Sequence, residues 1–218
     1  LPGTDILHGD NVKDIIDVTK AELIQGRLED ECKFFSKDTR IIKPGDTYIA
    51  IKGESFNGNI FWKDALEKGA KCLILSEVNA TKDELAEYKD RTILKVKDTL
   101  QALYEMAKLK RSFYNVPVIA ITGSVGKTST KDIISNVVSQ KFKTLKTLKN
   151  NNNNIGLPFT ILRMKDEEAM VLEMGMNHFG EISLLSDIAK PDICVITNIG
   201  TSHIGNLGSR ENILKAKL

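Results

Sequence analysis

Residues 119–130 read Ile-Ala-Ile-Thr-Gly-Ser-Val-Gly-Lys-Thr-Ser-Thr, an apolar run that breaks at two glycines and then delivers Lys127 and Thr128 to the start of a helical pattern. A buried strand must end where a helix begins, with only a tight turn between them. Such a turn suits phosphate. Glycines let backbone N–H groups approach an anion, the helix N-terminus adds partial positive charge, Lys127 adds a full one, and the Thr128 hydroxyl suits Mg2+. The usual GxxxxGK[ST] spacing is shortened to Gly123-x-x-Gly126-Lys127-Thr128, because Ile121 occupies the first glycine position. The reading is a nucleoside triphosphate site with Gly123, Ser124, Gly126, Lys127, Thr128 and Ser129 around the phosphates.

The pattern after Pro117 extends that constraint. A helix is predicted at Thr128–Gln140, then a polar stretch, a helix at Leu157–Met164, a strand at Ala169–Met174, a helix at Glu181–Ala189, a strand at Ile193–Thr197 and a helix from Ser209. Apolar runs without alternation, separated by helices, argue for parallel strands buried on both faces. Upstream, strands are predicted at Thr47–Ile51, Cys72–Leu75 and Thr92–Val96. Helices are predicted at Ile60–Lys68, Lys82–Tyr88 and Thr99–Phe113, the last capped by Asp98. Asn115 and Pro117 break the pattern, which places a boundary between domains 1–115 and 116–218. The fold class expected is α/β: a small N-terminal α/β domain followed by a mostly parallel P-loop-type sheet with flanking helices, truncated within its last helix. Residues 1–13 are expected to be a disordered or foreign leader.

The chain has 218 residues, 41% hydrophobic and 28% charged, with a net charge of +2. That balance suits a globular protein and carries no basic footprint for nucleic acid. No apolar run reaches the roughly 18 residues of a membrane span. Cys32, Cys72 and Cys194 are odd in number and far apart, fitting neither a disulfide framework nor a CxxC metal site; a reducing cytoplasm suits them. No nucleic-acid or membrane partner is expected.

Further chemistry gathers at predicted strand ends. Glu173 closes the run Met170-Val-Leu-Glu-Met174, where an open parallel sheet binds its ligands, and could hold Mg2+ beside the phosphate turn. His203 follows the next strand in the same way, whereas His178 reads equally well as turn chemistry. The five asparagines Asn150–Asn154 follow Lys141, Lys143, Lys146 and Lys149. They read either as a solvated loop or as amides that hold phosphate oxygens or a metal-bound water. In the first domain, Asp38-Thr39-Arg40 and the turn at Asn57-Gly58 could grip an anion, although ordinary turn chemistry explains them about as well.

Together these residues resemble the Mur ligases of bacterial cell-wall synthesis. The resemblance rests on Asp38-Thr-Arg40, Lys43-Pro-Gly-Asp46, Ala50-Ile-Lys-Gly53 and Glu67-Lys-Gly-Ala70, then on Thr122–Ser129, Asn153 with Ile155-Gly-Leu-Pro158, and Glu173-Met-Gly-Met-Asn177. Lys190-Pro-Asp192, Thr197-Asn-Ile-Gly200 with His203, Leu207-Gly-Ser-Arg210 and Lys215-Ala-Lys217 extend it. It implies a three-domain, ATP- and Mg2+-dependent ligase acting through an acyl phosphate, with this chain matching the first domain and half of the second. The Glu173–Asn177 string points to the branch whose substrates are a UDP-N-acetylmuramoyl-tripeptide and D-alanyl-D-alanine. By the same likeness Lys127 meets the β- and γ-phosphates, Thr128 and Glu173 hold one Mg2+, and His203 with a carbamylated Lys217 holds another. Asp38, Thr39, Arg40, Asn57, Gly58 and Asn153 fall to the UDP substrate. A cytoplasmic monomer, inactive as this piece alone, is the expectation.

Two positions depart from the family pattern: Val125 stands where asparagine is usual, and Asn59 where histidine is. Three rivals stand beside this reading. One is another amide-forming relative of folylpolyglutamate or cyanophycin type; another is a non-catalytic nucleotide-binding module. A GTPase switch is the third, and it lacks its Asn-Lys-x-Asp guanine signature.

Overall fold

The computed structural model describes residues 10–53, 55–201 and 204–218, and the chain divides into two compact units after Phe113. In unit 1, α1 (Val12–Thr19) leads into β1 (Glu22–Gln25), β2 (Lys33–Ser36) and β3 (Asp46–Ile49). Next come α2 (Trp62–Glu67), β4 (Cys72–Leu75), α3 (Lys82–Ala86), β5 (Thr92–Lys95) and α4 (Thr99–Ser112). The sheet order is β1-β5-β4-β3-β2. Strands β2 to β5 run parallel, while β1 lies antiparallel on β5. Alternation along β4 sends Leu73 and Leu75 to one face, where they join Tyr48, Trp62, Ala65 and Leu66 in a core cluster.

Local sequence explains the helix starts. The Asp98 carboxylate accepts from Leu100 and Gln101 N–H groups and opens α4, while Thr81 and Glu84 form a reciprocal capping box at α3. Two expectations for this unit fail. The leader reading fails from Asp10 onward: Asp10 is buried, bonded to Lys110 at 2.8 Å, and Asn11 caps α1. Buried charges persist only when paired, so this ion pair fixes the segment onto α4. Burial pushes the Asp10 carboxyl up, an effect the Lys110 ammonium opposes. The cysteine reading also fails, since Cys32 and Cys72 form a disulfide with Cα atoms 5.8 Å apart. Sequence spacing hid it: forty residues separate two cysteines that the β2-β3-β4 pairing brings together.

Unit 2 holds β6 (Val118–Thr122), α5 (Lys127–Val138), β7 (Thr144–Lys146), α6 (Gly156–Leu162) and β8 (Ala169–Glu173). It continues with α7 (Glu181–Ala189), β9 (Ile193–Ile196), α8 (Ile204–Leu207) and α9 (Arg210–Lys217). The sheet runs β7-β8-β6-β9, all parallel. Buried β8 fits the apolar-run argument; β9 does not, because it is an edge strand with Ile193 and Ile196 exposed. From β6 the chain crosses to β7, returns to β8, then reaches β9 on the other side of β6. That reversal puts the ends of β6 and β8 at the switch point where open α/β sheets place ligands. Among the described residues no helix is long and apolar enough to cross a membrane.

Candidate functional site

The turn between β6 and α5 is held open by its glycines. Gly123 has φ +144°, and a Cβ there would lie 1.9 Å from Thr197 Oγ1. Gly126 enters α5 in a left-handed conformation and offers no side-chain cap, which leaves the first-turn N–H groups for a ligand. The loop after β9 braces the turn. Thr197 Oγ1 donates to the Val125 carbonyl at 2.6 Å, Val125 N–H donates to Asn198 Oδ1, and Ser124 N–H donates to the Asn198 carbonyl.

Register carries Glu173 to the same place, since Ile121 of β6 pairs with Glu173 of β8. Its side chain is 2% exposed. Oε2 accepts from the Thr128 hydroxyl at 3.0 Å and Oε1 from Asn152 Nδ2 at 2.8 Å, while the Glu173 N–H donates to Thr147 Oγ1. Among the described residues Glu173 makes no ion pair. A buried carboxylate with only neutral donors beside it suits a hard divalent cation, and the Thr128 hydroxyl is a second oxygen ligand. Among the described residues no cluster of three His, Cys, Asp or Glu exists. Mg2+ bound by one carboxylate, a hydroxyl, nucleotide phosphates and water needs none.

A cavity of about 300 Å³ opens beside these groups, lined by Gly123, Lys127, Asn152, Asn153, Gly175, Glu181 and Lys217 among others. Lys127 Nζ rests on the Gly123 carbonyl at 3.0 Å. Lys217 comes from the last turn of α9 and is 5% exposed. Burial, and then repulsion from Lys127, pull its ammonium down to about 8. Two lysines facing one cavity favour an anion.

Unit 1 arranges its candidates at the carboxyl ends of its parallel strands. Asp38 caps a short 3-10 turn and holds Arg40 in a two-pronged pair at 2.8 and 2.7 Å, which lowers the Asp38 carboxyl to about 2. Thr39 is buried and bonds Asp64. Asn57 caps the next turn, and the Gly58 carbonyl accepts from the Tyr48 hydroxyl. Asn59, the departure from the expected histidine, is buried: its amide spans Asn57, the Ser76 hydroxyl and the Ser76 and Glu77 N–H groups.

The structure thus gathers Gly123, Gly126, Lys127, Thr128, Glu173 and Lys217. Ser124 spends its hydroxyl on the Gly200 N–H, and Ser129 is exposed on the first turn of α5. Asn153 lines the cavity, but its side-chain Oδ1 accepts from the Ile155 and Gly156 N–H groups at the start of α6. His203 lies outside the described residues. Sequence reasoning missed Asn152 and Thr147. The asparagine run pointed at the first, whereas nothing in the lysine-rich text marked the second.

The sequence profile of the Mur ligase middle domain matches residues 121–218, and that of the Mur ligase family catalytic domain matches residues 31–111. This chain belongs to the Mur ligase family. Among curated relatives of this Mur ligase chain, the UDP-N-acetylmuramoyl-tripeptide–D-alanyl-D-alanine ligase of Bacillus subtilis is 41% identical over 95% of the chain and 45% of that protein. Its Synechocystis namesake is 43% identical over 83% of the chain and 39% of that protein. Among solved structures, MurF from Acinetobacter baumannii superposes with a TM-score of 0.85 at 32% identity, covering 95% of the chain and 45% of that protein. MurF ligase from Thermotoga maritima in complex with ADP gives 0.75 at 34% identity, covering 85% and 42%. The Mur ligase chain therefore spans less than half the length of these relatives.

Proposed function

We propose that this chain carries the UDP-substrate and ATP-binding parts, residues 1–115 and 116–218, of a ligase that joins D-alanyl-D-alanine to UDP-N-acetylmuramoyl-tripeptide. The observation that carries the reading is one cavity lined by Lys127, Lys217 and Asn152, the last of which bonds the buried Glu173 that also accepts from the Thr128 hydroxyl. ATP phosphorylates the terminal carboxylate of the tripeptide, which is otherwise a poor electrophile. The amine of D-alanyl-D-alanine then attacks that carbonyl, phosphate leaves, and the amine loses a proton. This chain's contribution is positional and electrostatic. First-turn N–H groups of α5 and Lys127 hold the phosphates, and Glu173 with Thr128 would hold Mg2+. The ion, when bound, neutralises charge on the transferring phosphoryl group.

Lys217 is half neutral near pH 8, so its amine can attack carbon dioxide and lose a proton to give a carbamate. That change replaces a cation with an anionic ligand, which His203 would join at a second metal. In the first domain Asp38, Thr39, Arg40, Asn57 and Gly58 fall to the UDP substrate. For Arg40 this requires trading its Asp38 pair for the diphosphate. We propose a monomer acting in the cytoplasm, whose 218-residue piece alone does not ligate. The test is ADP release by the complete gene product. Turnover is expected with the muramoyl tripeptide plus D-alanyl-D-alanine, and turnover on a folate plus glutamate instead would overturn the reading.

A further inference from the structure

Glu173 has two oxygens, and only one of them faces the phosphate turn. Oε2 meets the Thr128 hydroxyl, whereas Oε1 is taken by the side-chain amide of Asn152 at 2.8 Å. A carboxylate only accepts, so the amide must present Nδ2 rather than Oδ1 to it. The loop carrying Asn152 is itself tied to the strand end, because the Asn152 carbonyl accepts from Gly175 N–H at 2.7 Å. Gly175 leaves just enough room: a Cβ there would lie 3.1 Å from both Cγ and Oδ1 of Asn152. Backbone bond, close packing and amide together fix where Nδ2 points.

We propose that Asn152 is a positioning residue: it pins Glu173 Oε1 so that Oε2 stays aimed at the Thr128 hydroxyl, where a divalent cation shared with nucleotide phosphates binds. The inference rests on the nucleotide–metal reading of the same cavity and adds to it a residue that does not itself meet the metal. An amide suits the role better than a lysine would. A lysine in its place would pair with Glu173 and cancel the charge that a cation needs, while an amide fixes the geometry and leaves that charge intact. Groups that orient a metal ligand in this way typically cost 10–100-fold in metal affinity when removed.

The test is calorimetric titration of ADP into the 218-residue chain, in excess Mg2+ and again in EDTA, for wild type, Asn152→Ala and Gly175→Ala. The ratio of the two affinities measures the metal's contribution. In Asn152→Ala the ratio is expected to fall about tenfold or more, with affinity in EDTA unchanged and the melting temperature within a few degrees of wild type. Gly175→Ala leaves the amide present but displaces it, and is expected to lower the ratio in the same direction. An unchanged ratio in Asn152→Ala overturns the proposal. So does an equal loss in Mg2+ and EDTA, which would make Asn152 a loop brace and nothing more. Wild type binding ADP with no response to Mg2+ overturns the parent reading, and the inference with it.

Discussion

Replacing Gly123 with alanine tests the phosphate turn at its tightest point. Two costs add. The backbone at φ +144° is one that a side-chain-bearing residue holds at roughly 1–3 kcal/mol. The new Cβ would also lie 1.9 Å from Thr197 Oγ1, so that hydroxyl must abandon the Val125 carbonyl, forfeiting about 0.5–1.5 kcal/mol. The expected loss is about 2–4 kcal/mol, which for a unit this size lowers the melting temperature by on the order of 10–20 °C. Scanning calorimetry reads it, with hydrogen exchange assigning the transition to unit 2. The double variant Gly123→Ala/Thr197→Ala separates the terms. It relieves the overlap but keeps the backbone strain, so it should melt no lower than Gly123→Ala alone. A single variant within about 1 kcal/mol of wild type would refute the turn geometry.

Glu173→Gln keeps shape and removes charge, so ADP binding should lose its response to Mg2+ while binding in EDTA persists; calorimetry checks this. The folded pKa of Lys217, about 8, lies below its ordinary 10.5, so the unfolded chain binds more protons between those values. Stability should therefore rise with pH across that window, a rise absent in Lys217→Met when denaturant midpoints are compared. Labelled bicarbonate should give a carbamate carbon signal that the same variant loses. Reducing the Cys32–Cys72 disulfide, which spans forty residues, should cost unit 1 up to about 4 kcal/mol, read as a thiol-dependent melt. Asn59→Ala leaves the Ser76 and Glu77 N–H groups without their acceptor and should cost about 2–3 kcal/mol by urea denaturation.

Elements that repeat an unmistakable pattern were legible in the text. The helix Thr99–Ser112, the strands at Cys72 and Ala169, and the turn at Gly123–Thr128 lie within a residue or two of where periodicity and capping put them. Short elements were not. Strands β1, β2 and β7 have four, four and three residues, and β7 hides among lysines; pairing with a neighbour, not propensity, makes them strands. Helix α1 escaped because its stability comes from α4 and from the buried Asp10–Lys110 pair, a contact between residues 100 apart. The same holds at the site. Lys127, Thr128 and Glu173 announce their chemistry by type and place, whereas Asn152 was one amide in five until the loop's path singled it out. Ser124 shows the converse: it sits in the motif, yet its hydroxyl serves the loop after β9.

Crystals of the chain grown with ADP and Mn2+, measured for anomalous scattering, address the nucleotide–metal pocket directly. A manganese peak is expected in contact with Thr128 Oγ1 and Glu173 Oε2, with the β-phosphate on the N–H groups that open α5. A bound nucleotide whose metal lies away from Glu173, or whose phosphates avoid the Gly123–Thr128 turn, would contradict the nucleotide–metal reading.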